Sequence, residues 1–198
     1  MRIGRALAQA LAADGFFVFV HYNRSAAGAR ATVAAIAAAG GRAKAVRADL
    51  SSARQAEALV PKCRARGVRL TCLVNNASLF KLDRAPTVRA ADFDLNMAIN
   101  LRGPLLLSQA LARQLPAGES GLIVNVLDQK LFNLNPDFLS YTLSKIGLHG
   151  LTTLLAQSFA PRLRVAGIAP GLTLRSGSQT DARFSAQHTA NPLGVGVA

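Results

Sequence analysis

A chain of 198 residues, 51% apolar and only 17% charged, can bury one substantial hydrophobic core, and that balance excludes a disordered polyelectrolyte. Its 18 Arg and 5 Lys outweigh ten acidic residues to a formal charge of +13, but the Arg are scattered among Ala. The charge therefore reads as solvated surface rather than as a nucleic-acid-binding tail, and no nucleic-acid partner is expected.

Cys63 and Cys72 have no His near them, so neither a disulfide framework nor a metal site is expected. No uninterrupted apolar run reaches the length of a membrane span and no secretory pattern opens the chain, so a cytoplasmic setting without membrane contact is expected.

In chain order, Ile3, Leu7, Ala10 and Leu11 recur at helical spacing from Arg2 to Ala13, and Asp14-Gly15 supplies the stop. Phe16 to Tyr22 is a nearly continuous apolar run, the pattern of a strand buried on both faces. Ser25 is expected to cap a helix running through Ala39 and ended by Gly40-Gly41. A strand at Ala43–Arg47, a helix at Ser52–Arg66, a strand at Leu70–Val74 and one long helix at Ala91–Leu115 follow. Then come a strand at Gly121–Leu127, a helix at Phe138–Ala160 and a strand at Leu163–Ile168, after which a polar stretch follows Pro170-Gly171. Strands alternating with helices predict a single α/β domain over residues 1–198, a doubly wound parallel sheet of Rossmann-like type. In such sheets ligands gather at the carboxyl ends of the strands, here after Tyr22, Val74, Leu127 and Ile168.

Tyr141 and Lys145 lie four residues apart on one helix and share a face. A phenol titrates near pH ~10, and an ammonium held close is expected to favour the phenolate, making a proton donor for a substrate oxygen or nitrogen. The spacing alone also fits an ordinary helix with a buried Tyr and an exposed Lys. The pair has company: Asn75-Asn76-Ala77 after a strand, Asn100 in the next helix, Asp128 ending a strand and Pro170-Gly171 after the last strand.

With these motifs the chain resembles the short-chain dehydrogenase/reductase family from Arg2 to about Leu193. The resemblance implies that Asn76, Ala77 and Ser78 border the cofactor, that Asn100 holds a water in a proton relay and that Tyr141 protonates the substrate. Lys145 would bind the nicotinamide ribose, and Pro170, Gly171 and Leu172, followed by Thr173, would border the nicotinamide. Helices at Ala91–Leu115 and Phe138–Ala160 would build a homo-oligomer, a tetramer in the usual family pattern.

One departure narrows the resemblance: the position 13 before Tyr141, usually Ser in the family, is Asp128. A carboxylate donates no proton unless it is itself protonated. The pteridine reductase branch is similar in pairing Asp, Tyr and Lys at the spacing of Asp128, Tyr141 and Lys145. It also uses a Phe, at the position of Phe80, to stack the pterin against the nicotinamide, with Ser78 as a nearby polar contact. The plainer alternative is loop packing for Phe80 and a drifted Ser at Asp128.

His21-Tyr22-Asn23-Arg24-Ser25 closes the first predicted strand without the acid that would bind a ribose 2′-hydroxyl. Arg24 and Ser25 at a helix N-terminus offer donors for a 2′-phosphate, which favours NADPH. Asp49-Leu50 matches the family's adenine contact, with a helix-capping role as the alternative, while His149 and His188 look unremarkable.

Relative to the family the chain begins within the helix after the glycine-rich turn, so only Gly4 of that turn remains, with Arg2 still able to reach a phosphate. The expected consequence is a missing central strand between the strand at Phe16 and the strand at Leu70, leaving two facing unpaired edges. Four or five buried side chains at about 1.5–3 kcal/mol each amount to roughly 10 kcal/mol, the scale of a whole domain's stability of about 5–15 kcal/mol. A displaced start and a shortened end, without the family's last helix and strand, are the expectation. The expected activity is NADPH-dependent reduction of a C=N or C=O bond in a pterin- or folate-like small molecule. The alternatives are a general carbonyl or 3-oxoacyl reductase and an inactive fragment.

Overall fold

The computed structural model describes residues 3–64, 68–173, 180–190 and 195. The first helix, α1, spans Ile3–Ala13, and β1 (Phe17–Tyr22) follows the turn at Gly15, whose φ of +90° suits glycine. Helix α2 (Ala26–Ala38) ends in a Schellman turn: the Gly41 amide donates to the Ile36 carbonyl and the Gly40 amide to Ala37. Strand β2 (Arg42–Arg47) pairs in parallel with β1, from Phe17 opposite Arg42 to Tyr22 opposite Arg47. Along β1 the pleat sends Val18, Val20 and Tyr22 against Ala8, Ala12, Ala29 and Ile36 of α1 and α2, while Phe19 packs on the other face.

After α3 (Ala53–Arg64) come β3 (Cys72–Asn75), α4 (Ala90–Met97), α5 (Gly103–Gln114) and β4 (Gly121–Val126), then α6 (Leu139–Phe159), β5 (Leu163–Ile168) and α7 (Asp181–His188). Strands β3, β4 and β5 form a second parallel sheet in that order, with Asn75 opposite Asn125 and Asn125 opposite Gly167. Leu111, Leu115, Ile123 and Leu163 make its core beneath α5, with Phe159 of α6 alongside.

The α/β alternation and the parallel pairing are as expected, and so is the gap: β1 and β3 each have a strand neighbour on one side only among the described residues. Helices α3 and α5 bridge the two sheets. Val46, Ala48 and Leu50 pack with Ala56, Leu59, Val60 and Cys63 of α3 and with Leu107 and Ala110 of α5, and Leu73 of the second sheet joins them.

Three local expectations are corrected. The helix expected as one piece from Ala91 to Leu115 is interrupted by a π-helical turn at Ala98–Arg102. Pro104 has no N–H to return to the Asn100 carbonyl and its ring crowds that position, so the helix widens there. Ser25 stands at the head of α2, but its hydroxyl makes no capping bond. The polar stretch after Gly171 contains α7, whose first turn closes from the Phe184 amide to the Thr180 carbonyl and whose Phe184 and His188 rings stack at 4.9 Å. Eight residues without an apolar stripe give no periodic signal to read.

Candidate active site

Two of the residues expected to carry proton chemistry meet at the carboxyl end of β4. Asp128 follows the strand in extended conformation and heads a single 3-10 turn, Gln129–Leu131, its Oδ1 accepting the Lys130 amide at 2.8 Å. Its Oδ2 accepts the Tyr141 hydroxyl at 2.5 Å. One turn further along α6, the Lys145 Nζ donates to the Val126 carbonyl at 2.6 Å and sits 5.7 Å from the centre of the Tyr141 ring. Asp128, Tyr141 and Lys145 are thus brought together as expected.

Their electrostatics correct the expectation that Lys145 makes the phenol more acidic. Burial, then the hydrogen bond and charge of Asp128, push Tyr141 above the ordinary tyrosine range. The ammonium is occupied by the strand carbonyl, and its own burial brings Lys145 down to about 8, against a smaller opposing pull from Asp128. The phenol therefore keeps its proton across the neutral range and points it at a carboxylate.

Asn100, on the π-helical turn, is wholly buried, and its amide is taken up by protein groups. Its Oδ1 accepts the Leu79 amide at 2.8 Å and the Ser78 hydroxyl at 3.2 Å, while its Nδ2 donates to the Leu79 carbonyl at 3.0 Å and to Ser144 Oγ at 2.9 Å. These side-chain bonds of Asn100, the residue expected to hold a water, fix the loop that carries Ser78 and Phe80 onto α6. Ser144, one turn after Tyr141 and hydrogen-bonded to its carbonyl at 2.6 Å, escaped the sequence reading although its i+3 spacing was visible.

Phe80 keeps 57% of its surface exposed, stacks on Phe138 at 4.1 Å and presents an edge contact to Tyr141 at 4.7 Å. Phe138, another residue not anticipated, occupies the left-handed region at φ 61° and ψ 45° immediately before α6. Lys130 places its ammonium 5.5 Å from the Phe138 ring centre. Deeper, Asn75 donates to Asn125 Oδ1 at 2.8 Å and Asn125 to Thr152 Oγ1 at 2.9 Å, tying β3, β4 and α6 together beneath the site.

The residues expected to hold a dinucleotide lie along the carboxyl ends of the strands, with different surroundings. Asn23, Arg24 and Ser25 follow β1, and Arg24 and Ser25 are exposed. His21 is turned into the fold, its ring hydrogen-bonded to the Ala48 carbonyl at 2.9 Å, and burial lowers its pKa. Tyr22 packs on the α1–α2 core, and Leu50 belongs to the α3–α5 core. Asp49 accepts the Ser51 amide at 2.9 Å and hydroxyl at 2.7 Å, and these bonds, with Asn23 and Arg24 nearby, hold its carboxyl below the usual range.

Ala77 packs against the α3–α5 core. The Pro170 carbonyl accepts the Gln129 amide at 3.3 Å, and that of Gly171 accepts the Thr173 amide. The Leu172 carbonyl accepts from His188 Nδ1, so His188 is less unremarkable than expected. Arg2 lies outside the described residues. Gly4 abuts Asn76 so closely that a Cβ on it would fall 2.4 Å from Asn76 Nδ2. An exposed cation without a carboxylate in the Tyr22–Ser25 run, and a helix start with no room for a side chain, fit a phosphorylated dinucleotide.

Comparisons with known proteins bear on the fold and the family. The sequence profile of the short chain dehydrogenase family matches residues 2–185. The crystal structure of FolM alternative dihydrofolate reductase 1 from Brucella canis, complexed with NADP, superposes with a TM-score of 0.92 at 41% identity, covering 99% of this chain and 78% of that one. An uncharacterised oxidoreductase of Methylorubrum extorquens is 39% identical over 179 residues, 90% of this chain and 71% of its own length. The 3-oxoacyl-[acyl-carrier-protein] reductase of Synechocystis is 34% identical over 170 residues, 85% of this chain and 69% of its own length.

Proposed function

Because the chain belongs to the short-chain dehydrogenase/reductase family, we propose that it is an NADPH-dependent reductase of a C=N or C=O bond in a planar, pterin- or folate-like heterocycle. The observation that carries this reading is the Tyr141–Asp128 hydrogen bond directly beside the Phe80 and Phe138 ring pair, in which Phe80 stacks on Phe138 and keeps 57% of its surface exposed. A flat bicyclic ring gains from packing on exposed aromatic surface, whereas a flexible acyl chain gains little. The likeness to the Brucella canis reductase, crystallised with NADP, supports both the cofactor and the substrate class.

Bound NADPH would supply the hydride. Arg24 and Ser25, with the backbone at the head of α2, would hold the 2′-phosphate, Asp49 the adenine side, and Asn76–Ser78 with Pro170–Leu172 would border the nicotinamide. Lys145, fixed by the Val126 carbonyl, would grip the ribose. Tyr141 gives its hydroxyl proton to the heteroatom of the reduced bond, and Asp128, which holds that hydroxyl in place, orients the ring by accepting from its N–H groups. Homo-oligomerisation belongs to the same reading, since Leu143, Ile146 and Leu154 expose an apolar side of α6.

The test is NADPH consumption with a dihydropterin, dihydrofolate and an acetoacetyl thioester offered in parallel. Turnover of either heterocycle, together with a loss of about a hundredfold or more in kcat for Tyr141→Phe and no change in NADPH affinity, supports the reading. Turnover of the thioester alone replaces it with a 3-oxoacyl reductase. Full activity in Tyr141→Phe removes the proton donor and the mechanism with it.

A further inference from the structure

Helix α6 carries Tyr141, Ser144 and Lys145, so the place where it starts decides where the phenol points. The residue before it cannot cap it. Phe138 has no side-chain acceptor and makes no capping bond, while the first-turn amides of any helix need partners. They find them in a segment more than fifty positions earlier. The Asp83 carbonyl accepts the Phe138 amide at 2.9 Å and the Leu139 amide at 3.3 Å, and Asp83 Oδ1 accepts the Ser140 amide at 3.1 Å. One residue thus caps the helix through both its main chain and its side chain, with a carboxylate at the positive end of the helix dipole.

Two neighbours tighten the same junction. Arg84 Nε donates to Asp137 Oδ1 at 2.7 Å, and Phe80 stacks on Phe138. The other carboxylate oxygen, Asp83 Oδ2, is buried without a hydrogen-bond partner among the described residues, as is Ser140 Oγ. Burying a carboxylate so incompletely paired is costly.

We propose that Asp83 is a positioning residue for the reduction. By clamping the start of α6 to the loop bearing Phe80, it fixes the Tyr141 hydroxyl against Asp128 and beside the substrate face at once. This rests on Tyr141 being the proton donor.

The full chain should be compared with Asp83→Ala, Asp83→Asn and Ser140→Pro. Pro suits the first turn of a helix and removes the amide that Asp83 Oδ1 accepts, along with the buried Ser140 hydroxyl, which has no hydrogen-bond partner among the described residues. In Asp83→Ala, kcat should fall at least about tenfold, since small misplacements of reacting groups cost that much. The KM for NADPH should stay within about threefold, and the limb of the kcat pH profile governed by the Tyr141–Asp128 pair should move. Ser140→Pro should reproduce both changes, and Asp83→Asn, which keeps an acceptor, should recover most of kcat. Amide exchange should quicken at residues 138–142 and stay unchanged in β3–β5.

Wild-type kcat and pH profile in a folded Asp83→Ala overturn the proposal, as does exchange that quickens along the whole chain. Should Asp83→Ala fail to fold, Ser140→Pro with wild-type kcat and pH profile overturns it equally. If the parent protein reduces none of the substrates, the functional reading fails on its own, while exchange at residues 138–142 still decides whether Asp83 caps α6.

Discussion

The two sheets differ in how firmly they hold what they carry. In the sheet of β3, β4 and β5, nearly every polar side chain of the site is bonded to a different element: Tyr141 to Asp128, Lys145 to Val126, Asn100 to Leu79 and Ser144, Asn125 to Thr152. In the sheet of β1 and β2, Arg24 and Ser25 stand exposed at a helix start that lacks a side-chain cap. Proton transfer demands atoms fixed to fractions of an ångström, whereas an anion is gathered well enough by an exposed cation and free amides. The sheets also share no strand pairing among the described residues and are joined chiefly by the apolar contacts of α3 and α5.

Two isoleucines test that division most strongly. Ile36 in α2 is 2% exposed and Ile123 in β4 is 0% exposed, one in each half. Truncating either to Ala should cost about 2–5 kcal/mol. Ile36→Ala should loosen amide protection across residues 3–47 and spare β3–β5. Ile123→Ala should loosen both halves, because it undermines α5, on which the bridging cluster rests. Equal loss of protection everywhere in Ile36→Ala would show that the halves melt as one unit and erase the distinction.

A smaller effect probes the cost of the firm half. Burial holds Lys145 to about 8 from an ordinary 10.5, so between those values the unfolded chain keeps a proton that the folded chain has released. The unfolded state then binds more protons, and stability rises with pH by up to about 1.4 kcal/mol per unit across that window. Tyr141 acts oppositely: its raised pKa leaves the folded state holding the extra proton above the ordinary tyrosine value of 10, which removes stability there. Burial raises Cys72 as well, but that contribution is common to wild type and variant and cancels between them. The unfolding free energy of wild type minus that of Lys145→Met should therefore climb from pH about 8 and flatten above about 10. A pH-independent difference would mean that folding leaves the amine at its ordinary pKa of 10.5.

How much of this was legible in the sequence follows the same line between local and distant information. Buried parallel strands are continuous apolar runs, so Phe17–Tyr22 and Gly121–Val126 announced themselves, and an i, i+4 spacing placed Tyr141 above Lys145. Asp128 came from resemblance, and its bond to Tyr141 spans 13 positions. Asp83, 57 positions from Ser140, had no local signature at all, since an Asp in a loop looks alike whether it caps a distant helix or faces water. The direction of the Tyr141 shift was misread for a related reason. The spacing counted the nearby cation, but only the fold reveals that Lys145 is engaged by Val126 and that burial dominates.

The smallest expected effect falls where the two halves touch near the site. Gly4 opens α1 in one half, Asn76 follows β3 in the other, and a Cβ on Gly4 would meet the Asn76 amide at 2.4 Å and its Cγ at 3.2 Å. In Gly4→Ala two effects oppose. Ala stabilises a helix over Gly by up to about 1 kcal/mol, while the Asn76 side chain must swing away and give up its place. Because only the end of a side chain has to move, the unfolding free energy should change by less than about 1 kcal/mol. Cofactor affinity should not be spared, since Asn76 lies in the segment assigned to the nicotinamide and one displaced polar contact is worth about 0.5–1.5 kcal/mol. NADPH titration should show binding weakened roughly three- to tenfold beside a nearly unchanged melt. Unaltered affinity would mean that the contact between Gly4 and Asn76 joins the halves without serving the cofactor, and a large loss of stability would mean that it is a structural seam.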